Sequence, residues 1–144
     1  MSYKFARINL AQTHYQPTVI WQYLREPNID QLNSIYHAYC RYKKFDSVMP
    51  IFDSRYLDRN TDVIGYYDQD QLVAFSLIVR YDDHNAMCDQ FAWTYHDPQQ
   101  RLGIESLMTE CAIYRDRGFR YLYLDQAHTY KKEIEGFEIL GPIT

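Results

Sequence analysis

A chain of 144 residues with 47% apolar composition and a formal net charge of −4 can bury one real core; it is too acidic for a broad nucleic-acid surface, although a local basic patch stays open. Three cysteines (Cys40, Cys88 and Cys111) include no Cys-x-x-Cys pair, which argues against a disulfide framework or a zinc knuckle and fits a reducing, cytoplasmic setting. No run approaches the roughly 18 apolar residues of a membrane-spanning helix, and Met1–Arg7 leads into no apolar stretch of the secretory kind.

No internal repeat, low-complexity tract or linker divides the chain, so residues 1–144 are expected to form one domain. Lys4 to Leu10 alternates loosely and reads as an edge strand. Asp30 to Lys44 reads as a helix, because Leu32, Ile35, Tyr36, Tyr39 and Tyr42 recur on one face. Asn28 or Asp30 could cap its start. Ser47 to Asp58 reads as a loop followed by a short helix. From Asp62 the period shifts to two. Val63–Tyr67, Leu72–Tyr81 and Ala86–Tyr95 are strand candidates separated by Asp68-Gln69-Asp70-Gln71 and Asp82-Asp83-His84-Asn85, the pattern of an antiparallel meander.

The strongest helical signal follows. Ile104, Leu107, Met108, Cys111 and Ala112 fall at i, i+3, i+4, i+7 and i+8. Arg115 and Arg117 suit its last turn, and Gly118 its C-terminal stop. Phe119–Leu124 alternates as a strand reached by a helical crossover, which favours parallel pairing, and a short element ends the chain. The order predicts an α+β fold: a mixed, mostly antiparallel sheet flanked by helices. Fifteen tyrosines suit half-buried strand positions and groove walls. Exposed strand edges together with these tyrosines also make a homodimer plausible.

A strand ending at Tyr95, the polar Gln99-Gln100-Arg101, then Gly103 and a helix make a chemically sensible anion site, since free N–H groups at a helix start attract phosphate. A second reading is open. Asp97 as N-cap, Pro98 at the first helical position and Gln100 at the third resemble a capping box. Gly103 would then lie inside the helix, at a cost of about 1 kcal/mol relative to alanine.

Gln100-Arg101-Leu102-Gly103-Ile104-Glu105 resembles the Q/R-x-x-G-x-G/A signature with which GCN5-related N-acetyltransferases (GNATs) bind the coenzyme A pyrophosphate. The order of elements is similar too, as is Gly136-Phe137-Glu138 near the end. The resemblance implies a GNAT-like fold and an acetyl-CoA or other acyl-CoA donor held by Gln100, Arg101, Leu102, Gly103 and Ile104. It also implies an amine acceptor on a small molecule or a protein. Glu105 departs from the motif, where Gly or Ala is usual. A closer local resemblance exists within that superfamily. Tyr95-His96-Asp97-Pro98, Leu102-Gly103, Arg117–Leu124 and Tyr130-Lys131 are similar to the C-terminal half of arginyl-tRNA–protein transferases, over roughly Asp62 to Phe137. That would make the donor a charged tRNA. The family's Cys-rich segment is absent from this sequence. Six Arg/Lys face four Asp/Glu between Gln99 and Lys132, a thin basic excess for tRNA.

Acyl transfer to an amine needs a base, an acid for the leaving group and backbone donors for the oxyanion. The strand end Phe91-Ala92-Trp93-Thr94 would offer those backbone groups. The resemblance suggests Tyr130 as the acid, although it precedes Gly136 by six residues where the family's common spacing is four and Lys132 stands here. Asp125 and His128 are base candidates by position alone. Each has a plainer role: Tyr130 as packing, His128 as a solvated loop residue, Asp125 as a cap. Glu105 and Glu110 read as a solvated helix face, as do Lys131 and Lys132. Cys88 and Cys111 read as core residues. The scattered His14, His37, His84 and His96 make no metal motif, and no G-x-S-x-G or P-loop occurs. The expected function is therefore acyl transfer from coenzyme A to an amine, with aminoacyl transfer from tRNA or a non-catalytic binding domain on the same fold as rivals.

Overall fold

Alternation in the middle of the chain builds the centre of one sheet. A computed structural model describes residues 3–43, 58–94, 102–124 and 133–143. Its elements are β1 (Tyr3–Asn9), a 3-10 turn at Leu10–Gln12, β2 (Ile20–Tyr23), α1 (Ile29–Lys43), β3 (Thr61–Asp68), β4 (Gln71–Arg80), β5 (Asn85–Trp93), α2 (Leu102–Asp116), β6 (Tyr121–Leu124) and β7 (Phe137–Ile143). The strands lie in the order β2-β3-β4-β5-β6-β1-β7. All neighbours are antiparallel except β5 and β6. The expected meander and the parallel crossover through α2 are both present. The β3–β4 hairpin turns on Gln69 and Asp70, at φ 50° and 66°. That is the left-handed pair a tight two-residue turn requires.

The two faces of the sheet carry different helices. Leu32 and Ile35 of α1 pack on Val63, Phe75, Leu77 and Ala92. On the other face, Ile104, Leu107 and Cys111 of α2 pack on Ile8, Ile64, Ile78 and Leu122. Buried on both sides, β4 is continuously buried from Val73 to Ile78, apolar but for Ser76. Asn28, of the two cap candidates, takes the role: its Oδ1 accepts the Gln31 N–H at 3.1 Å. At the far end of α2, Phe119 N–H bonds the Tyr114 carbonyl at 2.9 Å and Gly118 N–H the Arg115 carbonyl at 3.0 Å. Gly118 has φ +89°. The Tyr114 and Phe119 rings meet edge to face at 5.2 Å, which completes a Schellman stop with its apolar clasp.

One strand sits elsewhere than expected. β1 is not an edge: it lies between β6 and β7, with Ala6 and Ile8 fully buried. The loose alternation hid this, since Arg7 points to the opposite face and satisfies itself there. Its Nε bonds Glu138 Oε2 at 3.1 Å, and its guanidinium stacks 3.9 Å above the Tyr121 ring. The edges are β2 and β7. The loop and short helix expected over Ser47–Asp58 fall almost wholly outside the described residues.

Candidate functional site

β5 carries the candidate site because a bulge interrupts it beside its pairing with β6. It pairs in parallel with β6 from Asn85↔Tyr121 to Cys88↔Leu124. Beyond that pair, Asp89–Trp93 has no strand on this flank among the described residues. At the same point Leu77 pairs with Gln90 but Ile78 with Cys88, so Asp89 is the extra residue of a β-bulge. A bulge bends its strand and sharpens local twist.

Backbone direction beyond the bulge follows from one contact. Thr94 N–H donates to the Val73 carbonyl at 2.7 Å, and its Oγ1 donates to the same oxygen at 3.1 Å. Amides alternate sides along a strand, so Ala92 also faces β4, while the N–H and C=O of Phe91 and Trp93 face the β6 flank. Of the four residues expected to offer backbone groups, two are thus turned outward and two are used within the sheet. Side chains agree. Ala92 is buried under α1, and Trp93 rests against Tyr39 and Tyr42 at 6.2 and 5.8 Å. Phe91 lies 6.4 Å from both Tyr39 and Tyr66.

The start of α2 supplies the second wall. A Cβ built on Gly103 would meet nothing within 4 Å among the described residues, so none of them crowds the first helical turn there. Ile104 is in the core and Glu105 is half-exposed in that turn. Gln100, Arg101, Asp125, His128 and Tyr130 lie outside the described residues, as do Asp97 and Pro98 of the alternative cap.

Glu110 corrects an expectation. Read as solvated, it is 3% exposed, facing the sheet from α2. Its Oε1 accepts the Tyr66 hydroxyl at 2.9 Å, and its Oε2 lies 3.6 Å from the Cys88 thiol. Ser76 Oγ adds a contact to Tyr66 at 3.3 Å. Burial, with the Glu110 carboxylate second, pushes the Tyr66 hydroxyl well above its usual pKa. The signal was present in the sequence: Leu107, Glu110, Cys111 and Tyr114 run i, i+3, i+4, i+7, an inward stripe. Cys111 is core as expected, and burial raises its thiol.

Among the described residues, no helix is long and apolar enough to cross a membrane, and no group of three His, Cys, Asp or Glu could hold a metal ion.

No protein-family model and no curated protein matches the sequence. Solved structures do match in fold. A C-terminal domain assigned to a lysylphosphatidylglycerol synthetase from Agrobacterium fabrum superposes at TM-score 0.67 and 11% identity, over 88% of this chain and 47% of that one. A GCN5-related N-acetyltransferase from Kribbella flavida superposes at 0.61 and 12%, over 99% and 56%. An aminoglycoside 6'-acetyltransferase of type Ii does so at 0.55 and 18%, over 78% and 77%. The chain spans about half the length of the first two. At such identities the likeness is one of fold, and that fold is GNAT-like.

Proposed function

We propose that this GNAT-like fold is an acyltransferase that moves an acetyl or related group from coenzyme A to an amine. The observation that carries the reading is the bulge at Asp89 of β5, directly after its pair with Leu124 of β6, which bends the strand where the backbone of Phe91 faces the β6 flank. An extended amide-bearing arm can add there as a strand does. The residues present fit such a donor. Outward N–H groups meet an acyl carbonyl, and Gly103, which no described residue crowds, admits a phosphate to the helix start. Acyl-CoA would supply the activated thioester. The chain's part is to orient it, to polarise its carbonyl through Phe91 or Trp93 N–H, and to move protons. Gln100 and Arg101 are assigned to the pyrophosphate, Tyr130 to the acid, and Asp125 or His128 to the base. The acceptor is an amine on a small molecule or protein. A homodimer through β7, where Ile139 and Leu140 are 45% and 48% exposed, belongs to the same reading.

Titration calorimetry of the purified chain with acetyl-CoA, free CoA and aminoacyl-tRNA tests it. Micromolar CoA binding that weakens in Arg101→Glu supports the reading. Absence of binding to either CoA species overturns it.

A second reading, aminoacyl transfer from tRNA, rests on the local sequence resemblance to arginyl-tRNA–protein transferases. Binding to the tRNA alone, falling steeply with salt, would select it. Binding to no donor would leave an interaction domain on this fold.

A further inference from the structure

At the opposite end of α2 from Gly103 lies a cleft of about 640 Å³, bounded by edge strand β2, the start of β3 and the end of α2. Its size suits a small organic ligand. Asp116, at the end of α2, is about 20 Å along the helix from Gly103. Thr61 of β3 is level with Met87 of β5 through Val79, and Trp93 is six residues on, again about 20 Å. The cleft is therefore not part of the proposed donor site.

Its floor is a fixed polar pair. Asp62 Oδ2 receives the Tyr114 hydroxyl at 2.6 Å and Arg117 Nη1 at 2.9 Å, with Arg80 Nε 3.2 Å away. Asp62 Oδ1 takes no hydrogen bond from the described residues. Arg117 spends only Nη1, on Asp62 and on the Tyr23 hydroxyl at 2.9 Å. Its guanidinium is wedged 5.1, 5.2 and 5.7 Å from the rings of Tyr114, Phe119 and Tyr23. A committed acceptor and a committed donor thus stand side by side with unused capacity. Trp21, edge to face with Tyr23 at 5.1 Å, supplies a flat wall.

Charge narrows the ligand. Arg25 and Arg117 line the cleft with Asp58, Asp62 and Asp116, and Arg80, outside the lining, stands 3.2 Å from Asp62, so the charges nearly cancel and no strong net attraction for an anion or a cation remains. What such a floor pairs with is a neutral planar ring bearing an N–H beside a carbonyl: N–H to Asp62 Oδ1, carbonyl to Arg117, face to Trp21. We infer that this cleft is a second ligand site, for a nucleobase-type heterocycle with a lactam edge, independent of the acyl donor.

Calorimetry on the purified full-length chain tests this with guanosine, 1-methylguanosine, benzylamine and benzoate, each with and without saturating CoA. Guanosine is expected to bind saturably, and 1-methylguanosine, which lacks the N–H, at least about tenfold more weakly. Trp21→Leu and Arg117→Gln, checked for folding by circular dichroism, should each weaken guanosine about tenfold or more. Trp21 is half-exposed on an edge strand, so its variant keeps the test alive if Arg117→Gln unfolds. CoA should not displace guanosine. Failure of guanosine to bind below millimolar concentration overturns the inference, as do equal binding of the methylated analogue, tighter binding of either charged probe, or displacement by CoA. Because CoA binding is read separately, failure of guanosine to bind leaves the acyltransferase reading standing, whereas displacement by CoA would move the donor to this cleft.

Discussion

Tyr66 on β3 and Glu110 on α2 meet inside the core, hydroxyl to carboxylate, at 2.9 Å, with neither side chain more than 3% exposed. A buried carboxylate is tolerated only where donors reach it. The contact ties the middle of the sheet to the middle of the helix whose first turn borders the proposed donor site.

Tyr66→Phe removes that donor while keeping the ring. The variant should lose about 1–3 kcal/mol of stability, because the carboxylate stays buried and loses a partner. Ser76→Ala, whose contact to Tyr66 is 3.3 Å, should lose less than about 1 kcal/mol. Urea unfolding with unchanged slope is the measurement. Wild-type stability in Tyr66→Phe would mean that the contact contributes nothing net.

Alkali should unfold the protein from within. Burial first, then a neighbouring carboxylate, raises the hydroxyl pKa of both Tyr66 and Tyr114 above the ordinary tyrosine value. The unfolded chain releases those protons near pH 10, while the folded chain holds them. Above that pH the folded state binds more protons, so stability falls as pH rises, by about 1.4 kcal/mol per pH unit for each such tyrosine. Below pH 10 this contribution is fully present. Urea midpoints at pH 8, 10 and 11 should drop mainly in the last interval, and Tyr114→Phe should flatten the drop. A midpoint unchanged through pH 11 would refute it.

Two glycines should answer the same substitution with opposite signs. A Cβ on Gly136 would stand 2.4 Å from the Asn9 carbonyl oxygen, at φ +74°, so Gly136→Ala should cost more than the roughly 1–3 kcal/mol of left-handed strain alone. Gly103→Ala meets no described residue in a helix and should add about 0.5–1 kcal/mol. If phosphate approaches the backbone there, the stabilised variant should bind CoA more weakly. Equal CoA affinity in Gly103→Ala would remove Gly103 from the donor site.

Local chemistry was legible in the sequence where it closes within a few residues. The α2 stripe, the Gly118 stop, the Asn28 cap and the three-strand meander are of this kind. Pairings across long separations were not. Arg7 meets Glu138 131 residues away and Arg117 meets Asp62 55 away. Neither carries a spacing signal, so β1 reads as an edge and Asp62 only as the point where the period shifts. Glu110 differs for another reason: its charge reads as solvated, yet its place between Leu107 and Cys111 turns it inward, where Tyr66 supplies the compensation that composition does not reveal.

Glu105 offers the sharpest test of where a pyrophosphate would lie. It is half-exposed in the first turn of α2, at the position where the acetyltransferase signature has Gly or Ala. A carboxylate near a helix N-terminus stabilises the helix by about 0.3–1 kcal/mol, and the same charge repels a phosphate brought to that turn. Glu105→Ala should therefore lower stability slightly and tighten CoA binding several-fold, with the gain shrinking as salt screens the repulsion. Glu105→Gln should tighten binding similarly, which separates charge from bulk. Unchanged CoA affinity at low salt in both variants would show that no pyrophosphate comes near this turn, and the donor reading would then rest on the β5 backbone alone.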